Sequence, residues 1–235
     1  TITRYDLLAF QEIRDSSGTA LETLFGMLDA QTGGAYEMVV SDRLGRTSSK
    51  EQYAYFYRPE KLTLLDSYHY DDGLEPDEDL FQREPFIARF ESVDQAFDFA
   101  VAVIHTSPDD AVAEVGSLPL VVDDIATHWA EEDVILLGDF NASCNYVRED
   151  EFSTLTLYTD PSYTWWIDDT TDTTVTSTTC AYDRIVTAGE ASGRVVPDSG
   201  SVFFYDQAYV LDEDMARNVS DHYPVEVVMD IAELL

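Results

Sequence analysis

The order of apolar patterns along the chain is the feature that most restricts its fold. Two segments carry apolar residues three and four positions apart, one starting at Thr19 and one running from Val112 to Trp129. This spacing predicts amphipathic helices. Gly33-Gly34 ends the first helix, and Pro119 is expected to bend or break the second.

Short apolar or alternating runs around these segments predict β-strands, because clusters of Gly, Pro and Asp separate them. The runs are Leu7–Phe10, Glu37–Val40, Tyr53–Tyr57, Phe86–Phe90, Phe97–Ile104, Val134–Leu137, Arg184–Thr187 and Val225–Met229. Many short strands with few helices predict a layered α/β fold. No Pro-, Gly- or Ser-rich linker divides the chain, so we expect residues 1–235 to form a single domain.

The composition adds a strong acidic charge to this pattern. The chain has 13 basic and 47 acidic side chains, a net charge of −34, with 45% hydrophobic and 12% aromatic residues. That apolar content excludes a disordered acidic tail. Only Lys50 and Lys61 are lysines. A surface rich in Asp and Glu suits concentrated salt, because the screening length falls to roughly 3 Å at about 1 M salt and the repulsion between the acidic side chains is suppressed. We therefore predict salt adaptation, although the same charge opposes binding to nucleic acid.

Two further features restrict the setting of the protein. Cys144 and Cys180 are the two cysteines, which leaves either one disulfide or two free thiols. No run approaches the roughly 18 apolar residues that span a bilayer. The chain opens at Thr1 close to an apolar run, so we expect a processed product, and a removed signal peptide is compatible with that.

Acidic and imidazole side chains recur where predicted strands end or begin. The segments are Gln11-Glu12, His105, Gly138–Asn141, Tyr182-Asp183 and Ser220–Pro224. Carboxylates with an Asn amide oxygen suit Mg²⁺, and two His residues suit proton transfer. Each element has an ordinary structural interpretation, because strand-end Glu residues are usually solvated and a lone His is usually structural. The ordered combination favours catalysis.

In their order these motifs resemble the deoxyribonuclease I family, within the superfamily of endonucleases, exonucleases and phosphatases. The similarity runs nearly end to end. It is carried by Gln11–Asp15, Glu51–Tyr53, Tyr57–Pro59, Asp71–Gly73, Arg83–Ile87, His105, Asp110–Glu114, Gly138–Ala142, Cys180–Val186 and Ser220–Val227. The resemblance implies a four-layer α/β sandwich, in which two packed mixed β-sheets are flanked by helices.

The resemblance also implies the catalytic groups. Glu12, Asp139 and Asp221, helped by Asn141, would hold a Mg²⁺ or Mn²⁺ ion near the scissile phosphate. His105 would pair with Glu51, and His222 with Asp183. One imidazole would then activate water while the other acts across the phosphate.

Further sites follow from the same resemblance. Cys144 and Cys180 would form the larger disulfide of the family, in an oxidising compartment. A structural Ca²⁺ ion would be held by Asp172, Thr174, Thr176 and Thr178. A second Ca²⁺ ion would be held by Asp72, Asp79, the Phe81 carbonyl and Glu84. DNA would be contacted by Arg14, Arg46, Arg83, Tyr146 and Tyr182.

The sequence departs from the family pattern at three places. The loop Leu74–Glu78 lacks the small extra disulfide, which weakens the case for the second Ca²⁺ site. Ser49 stands where the family has a Tyr that enters the minor groove, so we expect a weaker grip there. Family members also carry a strand and a helix ahead of the strand that opens this sequence, and we expect that segment in the native protein.

The resulting prediction is a secreted, salt-tolerant endonuclease, extracellular or periplasmic, that hydrolyses double-stranded DNA with low sequence specificity and leaves 5′-phosphate ends. We expect a monomer that does not bind membranes. Divalent cations, or a basic module outside this chain, would offset its repulsion from DNA, and few basic contacts would make binding less sensitive to salt. One alternative is a phosphodiesterase or phosphatase acting on a lipid or inositol phosphate. A non-catalytic Ca²⁺-binding module is another.

Overall fold

Residues 1–73 and 79–232 are described by the structure, a computed structural model. They fall into two units, Thr1–His105 with the C-terminal residues from Ile231, and Thr106–Asp230. Within this part of the chain no helix is both long and apolar enough to cross a membrane. The loop Leu74–Glu78, where the family's extra disulfide is missing, lies outside the described residues.

The described part of the first unit contains six strands and one long helix. After a short 3-10 turn at Ile2–Arg4, its elements are β1 (Leu7–Ile13), α1 (Thr19–Thr32), β2 (Glu37–Val40), β3 (Gln52–Tyr57), β4 (Leu62–His69), β5 (Phe86–Ser92) and β6 (Asp98–His105). Strands β1, β3 and β2 form one antiparallel sheet in that order. Strands β4, β5 and β6 pair antiparallel in sequence order.

Alternation along β3 explains how these layers pack. Ala54 and Phe56 point to one face, where they join Leu21 and Leu28 of α1 in a core cluster. Tyr55 lies on the opposite face, and its ring contacts Phe86 and Phe90 of β5. One face of the first sheet therefore packs on a helix and the other on the second group of strands. Each fully buried Phe or Leu stabilises this arrangement by about 1.5–3 kcal/mol.

The second unit is rich in short elements. They are α2 (Ala111–Trp129), β7 (Val134–Asp139), α3 (Glu149–Phe152), α4 (Thr156–Thr159), β8 (Thr164–Trp165), β9 (Asp183–Ala188), α5 (Ala191–Arg194), β10 (Ser201–Val202), α6 (Tyr205–Tyr209), α7 (Glu213–Val219) and β11 (Val225–Glu226). Strand β9 pairs antiparallel with both β7 and β8. Strands β10 and β11 form a separate antiparallel pair.

A buried arginine ties the loops of the second unit to β9. The Arg184 side chain is fully buried, and its two terminal nitrogens donate to Ile167 O at 2.8 Å and Ala142 O at 2.7 Å. The same guanidinium is ion-paired with Asp169 at 2.8 Å. Because a buried charge is tolerated only with such partners, Arg184 fixes both loops against the strand.

The predicted α/β fold, with packed β-sheets flanked by helices, is confirmed. The predicted break at Pro119 is wrong, since α2 runs through it without interruption. Val115, Leu118, Val121 and Ile125 are all fully buried along that helix. Their burial outweighs the roughly 3 kcal/mol that a Pro costs inside a helix.

Strand β4 and the short helices were not predicted from the sequence. Most of β4 is exposed or half-buried, and its pairing shifts between Leu64 and Asp66, which breaks the alternation that marks a strand. Helices α3 to α7 span four to seven residues and are too short to show an apolar stripe. Strand β11 ends at Glu226, short of the predicted Met229, which makes only an isolated bridge to Val195.

Replacing Tyr55 with Phe tests the packing in the first unit. The Tyr55 hydroxyl lies 2.8 Å from Phe86 O and 2.9 Å from Val101 O, in a fully buried position. We expect its loss to lower the free energy of unfolding by about 1–3 kcal/mol, because both carbonyls lose a buried partner. Urea denaturation measures the change.

Tyr57→Phe is the matched control on the same strand. The Tyr57 hydroxyl donates to the carboxylate of Glu37, an exposed residue, at 2.6 Å, so water can replace it. We expect a loss of about 0.5 kcal/mol. Equal losses in the two variants would contradict the assignment of Tyr55 as the buried link between strands.

Candidate functional site

His105 and Glu51 form a buried pair in the first unit. His105 is the last residue of β6, and Glu51 directly precedes β3. The Nδ1 atom of His105 lies 2.8 Å from Glu51 Oε2. On the other side of the ring, Nε2 lies 3.6 Å from Oε1 of Glu12. The predicted residues Glu12, Glu51 and His105 are thus brought together.

An irregularity in β1 places Glu12 beside this ring. The pairing of β1 with β3 shifts register between Phe10 and Ile13, and Glu12 has a φ of 57°. A bulge of this kind redirects one side chain relative to its neighbours. A left-handed conformation costs a non-glycine residue of order 1–3 kcal/mol and is concentrated at functional sites. The backbone strain therefore falls on a residue predicted to be catalytic.

Two arginines set the charge state of Glu51. Arg14 Nε lies 3.3 Å from Glu51 Oε1, and Arg83 Nε lies 3.7 Å from Oε2. Burial raises the pKa of Glu51, but its hydrogen bond to His105 and the nearby charges of His105, Arg83 and Arg14 outweigh this and lower the pKa overall. Glu51 is accordingly a carboxylate at neutral pH and can orient the imidazole.

The backbone of His105 is held as firmly as its ring. Its N–H donates to the Tyr53 hydroxyl at 2.9 Å. Its carbonyl accepts from Arg83 Nε at 3.0 Å and Nη2 at 2.8 Å. Tyr53 was not predicted as a site residue, because its position in β3 follows ordinary strand alternation and gives no separate signal. Arg83, a predicted DNA contact, is a buried residue in this structure.

The second unit contains a similar pair. His222 Nδ1 lies 2.7 Å from Asp183 Oδ2, and His222 Nε2 lies 3.9 Å from Asp139 Oδ2. Asp139 ends β7 and Asp183 begins β9, and the two residues face each other in the antiparallel ladder. One potential ligand atom from each of these three residues lies within 4.8 Å of the others. The sheet register therefore assembles this group.

These carboxylates change the protonation of His222. Burial lowers its pKa, but the hydrogen bond to Asp183 and the charges of Asp183, Asp139 and Asp221 raise it from 6.5 to about 10. In the absence of a metal ion His222 is therefore an imidazolium at neutral pH. Tyr182 stacks on this ring with an interplanar angle of 29°.

Asn141 is fixed next to Asp139 by a tight turn. Its N–H donates to Asp139 Oδ1 at 2.8 Å, and its Nδ2 donates to Thr106 O at 3.1 Å. Asn141 has a φ of 47°, so the turn again holds a non-glycine residue in the left-handed region. With Nδ2 bound, the amide oxygen remains the group that can face a cation. Asp221, which is exposed, is not a member of the group formed by Asp139, Asp183 and His222.

The Thr-rich loop that was predicted to hold Ca²⁺ has several of its oxygen atoms close together. Thr174 Oγ1 lies 3.0 Å from Asp172 Oδ1, and the hydroxyls of Thr176 and Thr178 lie 2.6 Å apart. One carboxylate and three hydroxyls are hard oxygen donors, so the residues present fit Ca²⁺. An isolated bridge between Thr174 and His222 joins this loop to the segment that carries His222.

Residues of the second predicted Ca²⁺ site have different partners. Asp72 Oδ2 accepts from the N–H groups of Leu80 at 2.7 Å and Phe81 at 2.9 Å. Asp79 is ion-paired with Arg46 at 2.7 Å, so a predicted ligand and a predicted DNA contact bind each other. Glu84 is half-buried and acts on His69 through its charge.

The disulfide between Cys144 and Cys180 is present, with Cα atoms 5.9 Å apart. It joins two segments that each carry a predicted DNA contact two residues later, Tyr146 and Tyr182. The rings of these tyrosines lie 5.4 Å apart. Among the described residues there is no free cysteine. The pairing that the family resemblance implies is therefore confirmed.

Comparison with known proteins agrees with this geometry. Residues 1–222 match the model of the Endonuclease/Exonuclease/phosphatase family. The chain is 48% identical over 231 residues to Deoxyribonuclease-1 of Homo sapiens, covering 97% of this chain and 82% of the human protein. It is 45% identical to Deoxyribonuclease-1 of Bos taurus, with 97% and 82% covered. The chain belongs to the deoxyribonuclease I family.

Solved structures extend the similarity to the fold. An endonuclease/exonuclease/phosphatase from Bacteroides vulgatus superposes with a TM-score of 0.63 at 17% identity, covering 97% of this chain and 87% of that one. The catalytic domain of human Nocturnin gives a TM-score of 0.59 at 14% identity, with 97% and 83% covered. Membership of the deoxyribonuclease I family confirms the predicted enzyme class, a nuclease that hydrolyses phosphodiester bonds.

The raised pKa of His222 predicts how stability depends on pH in a chelating buffer. A histidine whose pKa is higher in the folded state than in the unfolded state stabilises the fold while it is protonated. Its contribution is complete below about pH 6.5, the unfolded value, and is lost as the pH rises towards about 10. The measurement is the difference in unfolding free energy between the wild type and His222→Gln from pH 6 to pH 11.

We expect this difference to shrink steadily across that window. Comparison with the variant cancels the titration of tyrosines and lysines elsewhere. His128→Gln is the control, because His128 is an exposed histidine in the last turn of α2. A difference that stays constant with pH would contradict a protonated His222–Asp183 pair.

Proposed function

We propose that this protein is a divalent-metal-dependent endonuclease that hydrolyses phosphodiester bonds of double-stranded DNA with low sequence specificity. One observation carries the proposal. Each unit holds an imidazole whose Nδ1 binds one carboxylate while its Nε2 faces a second carboxylate. This doubling is what a displacement at phosphorus needs, with proton transfer on both sides of the reacting atom. The names of its relatives, Deoxyribonuclease-1, support DNA as the substrate.

We propose that the two histidines carry out the proton transfers of the reaction. Glu51 and Asp183 each bind the Nδ1–H of their histidine, so that the rings of His105 and His222 present Nε2 to the substrate. One Nε2 accepts a proton from the attacking water as the new P–O bond forms. The other protonates the leaving O3′ as the old P–O bond breaks. The products are a 5′-phosphate and a 3′-hydroxyl.

Glu12, Asp139 and Asp221, with the amide oxygen of Asn141, would hold Mg²⁺ or Mn²⁺. Their donors are all hard oxygen atoms, and Asp139 already accepts the Asn141 N–H that fixes the turn. When bound, the ion would neutralise negative charge on the phosphate in the transition state. Within each unit one of these carboxylates also faces an imidazole, Glu12 facing His105 and Asp139 facing His222.

DNA would be contacted by exposed arginines and tyrosines. The Arg14 side chain is 63% exposed while one nitrogen remains 3.3 Å from Glu51, so it can reach a groove and stay tied to the site. Tyr146 is also exposed. Arg46 would have to leave Asp79, and Arg83 would act from a buried position, so we propose that these two contribute less. Ser49 leaves the minor groove without a stacking partner.

We propose that the enzyme works in concentrated salt. With a net charge of −34 its repulsion from DNA is large in dilute buffer and is screened at about 1 M salt. Because few arginines contact phosphates, few counterions are released on binding, and the affinity for DNA falls less steeply as the salt concentration rises. A basic module outside this chain would further help in dilute buffer.

The same proposal includes the setting of the protein. The disulfide supports an oxidising compartment, extracellular or periplasmic. The family model spans residues of both units, which supports a single catalytic domain. We propose that this domain acts as a monomer, without a membrane partner.

Plasmid nicking with Mg²⁺, over a salt series from dilute buffer to molar, tests the function. We expect nicking that persists at molar salt, and a fall in rate of about 10²–10⁴-fold in His105→Ala and in His222→Ala. The double variant should lose no more than about the larger single loss, because residues of one catalytic unit are not additive. Ligation of the ends without prior kinase treatment reports 5′-phosphates.

His128→Ala is the matched control, since His128 is an exposed histidine of α2 that was not predicted to be catalytic. It should nick at the wild-type rate. Losses that multiply in the double variant would contradict a shared reaction. Hydrolysis of lipid or inositol phosphates without nicking would favour the phosphodiesterase alternative. Ca²⁺ binding without any hydrolysis would favour a binding module.

Calcium titration tests the Thr-rich loop. We expect Ca²⁺ to stabilise the protein by about 2.7 kcal/mol at a concentration 100 times its Kd, and Asp172→Asn to lose this effect, because it removes the charged ligand. Thermal unfolding at fixed Ca²⁺ measures the change. Asp160→Asn is the control, an exposed acid whose carboxylate binds the Ser162 N–H in a local turn. Equal stabilisation of the wild type and Asp172→Asn would contradict the site.

A further inference from the structure

Thr173 is a fully buried residue between two members of the proposed Ca²⁺ loop. Its neighbours Asp172 and Thr174 belong to the oxygen cluster of that loop, whereas Thr173 itself is 0% exposed. Its hydroxyl donates to Cys180 O at 3.2 Å. The same oxygen accepts the N–H groups of Tyr182 at 3.1 Å and Asp183 at 3.2 Å.

These contacts use the full capacity of the hydroxyl group. A threonine hydroxyl has one proton to donate and two lone pairs to accept with, and all three are engaged here. Asp183 is the first residue of β9, where it pairs with Asp139 of β7 and donates its N–H to Thr173. Thr173 therefore holds the start of β9 through a side chain, just where Asp183 binds His222.

The backbone around Thr173 holds the histidine segment as well. The carbonyl of Thr173 accepts the N–H of Tyr223 at 2.8 Å, and the N–H of Val175 donates to Asp221 O at 2.8 Å. These bonds fix the residues on both sides of His222. The stretch from Thr173 to Val175 thus contacts both partners of the His222–Asp183 pair, one by side chain and one by backbone.

We propose that Thr173 is a positioning residue for the His222–Asp183 pair. Its hydroxyl holds the Asp183 backbone while its carbonyl holds the Tyr223 backbone, so one residue contacts the segments of both partners and helps to fix the Nδ1–Oδ2 distance. Without the hydroxyl, two buried N–H groups lose their acceptor and the start of β9 shifts relative to His222. The inference rests on the proposed function, in which that pair transfers a proton.

Thr173→Val tests it, because Val keeps the shape of Thr and removes only the hydroxyl. We expect kcat for DNA nicking to fall about 10- to 100-fold, as misplacing a catalytic group costs. KM should change by less than about twofold, since no DNA contact is removed. Thr173→Ser keeps the hydroxyl and should restore kcat to within about threefold of the wild type.

Thr187→Val is the matched control. Thr187 lies on the same strand β9, is also buried, and its hydroxyl accepts from Trp166 Nε1 at 2.8 Å. The Thr187→Val variant therefore loses a comparable buried hydroxyl, four residues along β9 from Asp183. Proton NMR of the metal-free protein gives a second readout, the low-field resonance of the His222 Nδ1–H bound to Asp183. This resonance should shift or broaden in Thr173→Val and stay unchanged in Thr187→Val.

Equal kcat losses in the two Val variants, or an unchanged resonance in Thr173→Val, would overturn the inference. Should Thr173→Val fail to fold, Thr173→Cys replaces it, because a thiol keeps the volume and weakens each hydrogen bond. Failure of the proposed function is distinguishable. A wild type that does not nick DNA overturns the function, while the resonance still decides whether Thr173 positions the pair.

Discussion

The hydrogen bond between a buried carboxylate and an imidazole Nδ1 is the interaction on which the candidate site depends. It occurs twice, as Glu51–His105 and as Asp183–His222. A carboxylate taken out of water is costly unless it is paired, so each pair must be built by the surrounding strands. The ends of β6, β7 and β9 supply that support, and each carboxylate then orients the ring of its partner through Nδ1.

Two residues of the candidate site depart from regular backbone conformation. Glu12 and Asn141, both predicted to serve the metal ion, have positive φ values, and Glu12 lies in a bulge. Such positions persist only where neighbouring contacts fix them. Here those contacts are the pairing of β1 with β3 on either side of the bulge, and the bonds of Asn141 to Asp139 and Thr106.

Several of the few basic residues bind groups within the protein. Arg14 and Arg83 lie next to Glu51, so two of the 13 basic residues are used to hold one carboxylate charged. Arg184 is buried in the second unit, where it donates to two loop carbonyls. Few arginines remain to meet a phosphate backbone, which is why the proposed function relies on screening by salt rather than on a basic patch.

The sequence by itself determined the long helices and most strands, because these rest on periodicity, and its contiguous motifs carried the family resemblance that implied both histidine–carboxylate pairs. It did not reveal β4, whose alternation is broken at Asp66. It also did not reveal that α2 continues through Pro119, where the burial of Val121 and Ile125 stabilises the helix. Only the tertiary structure decided that Arg46 binds Asp79, that Arg83 is buried against His105, and that Thr173 contacts the segments of both Asp183 and His222. Those contacts link residues distant along the chain, and strand register, not local pattern, brings them together.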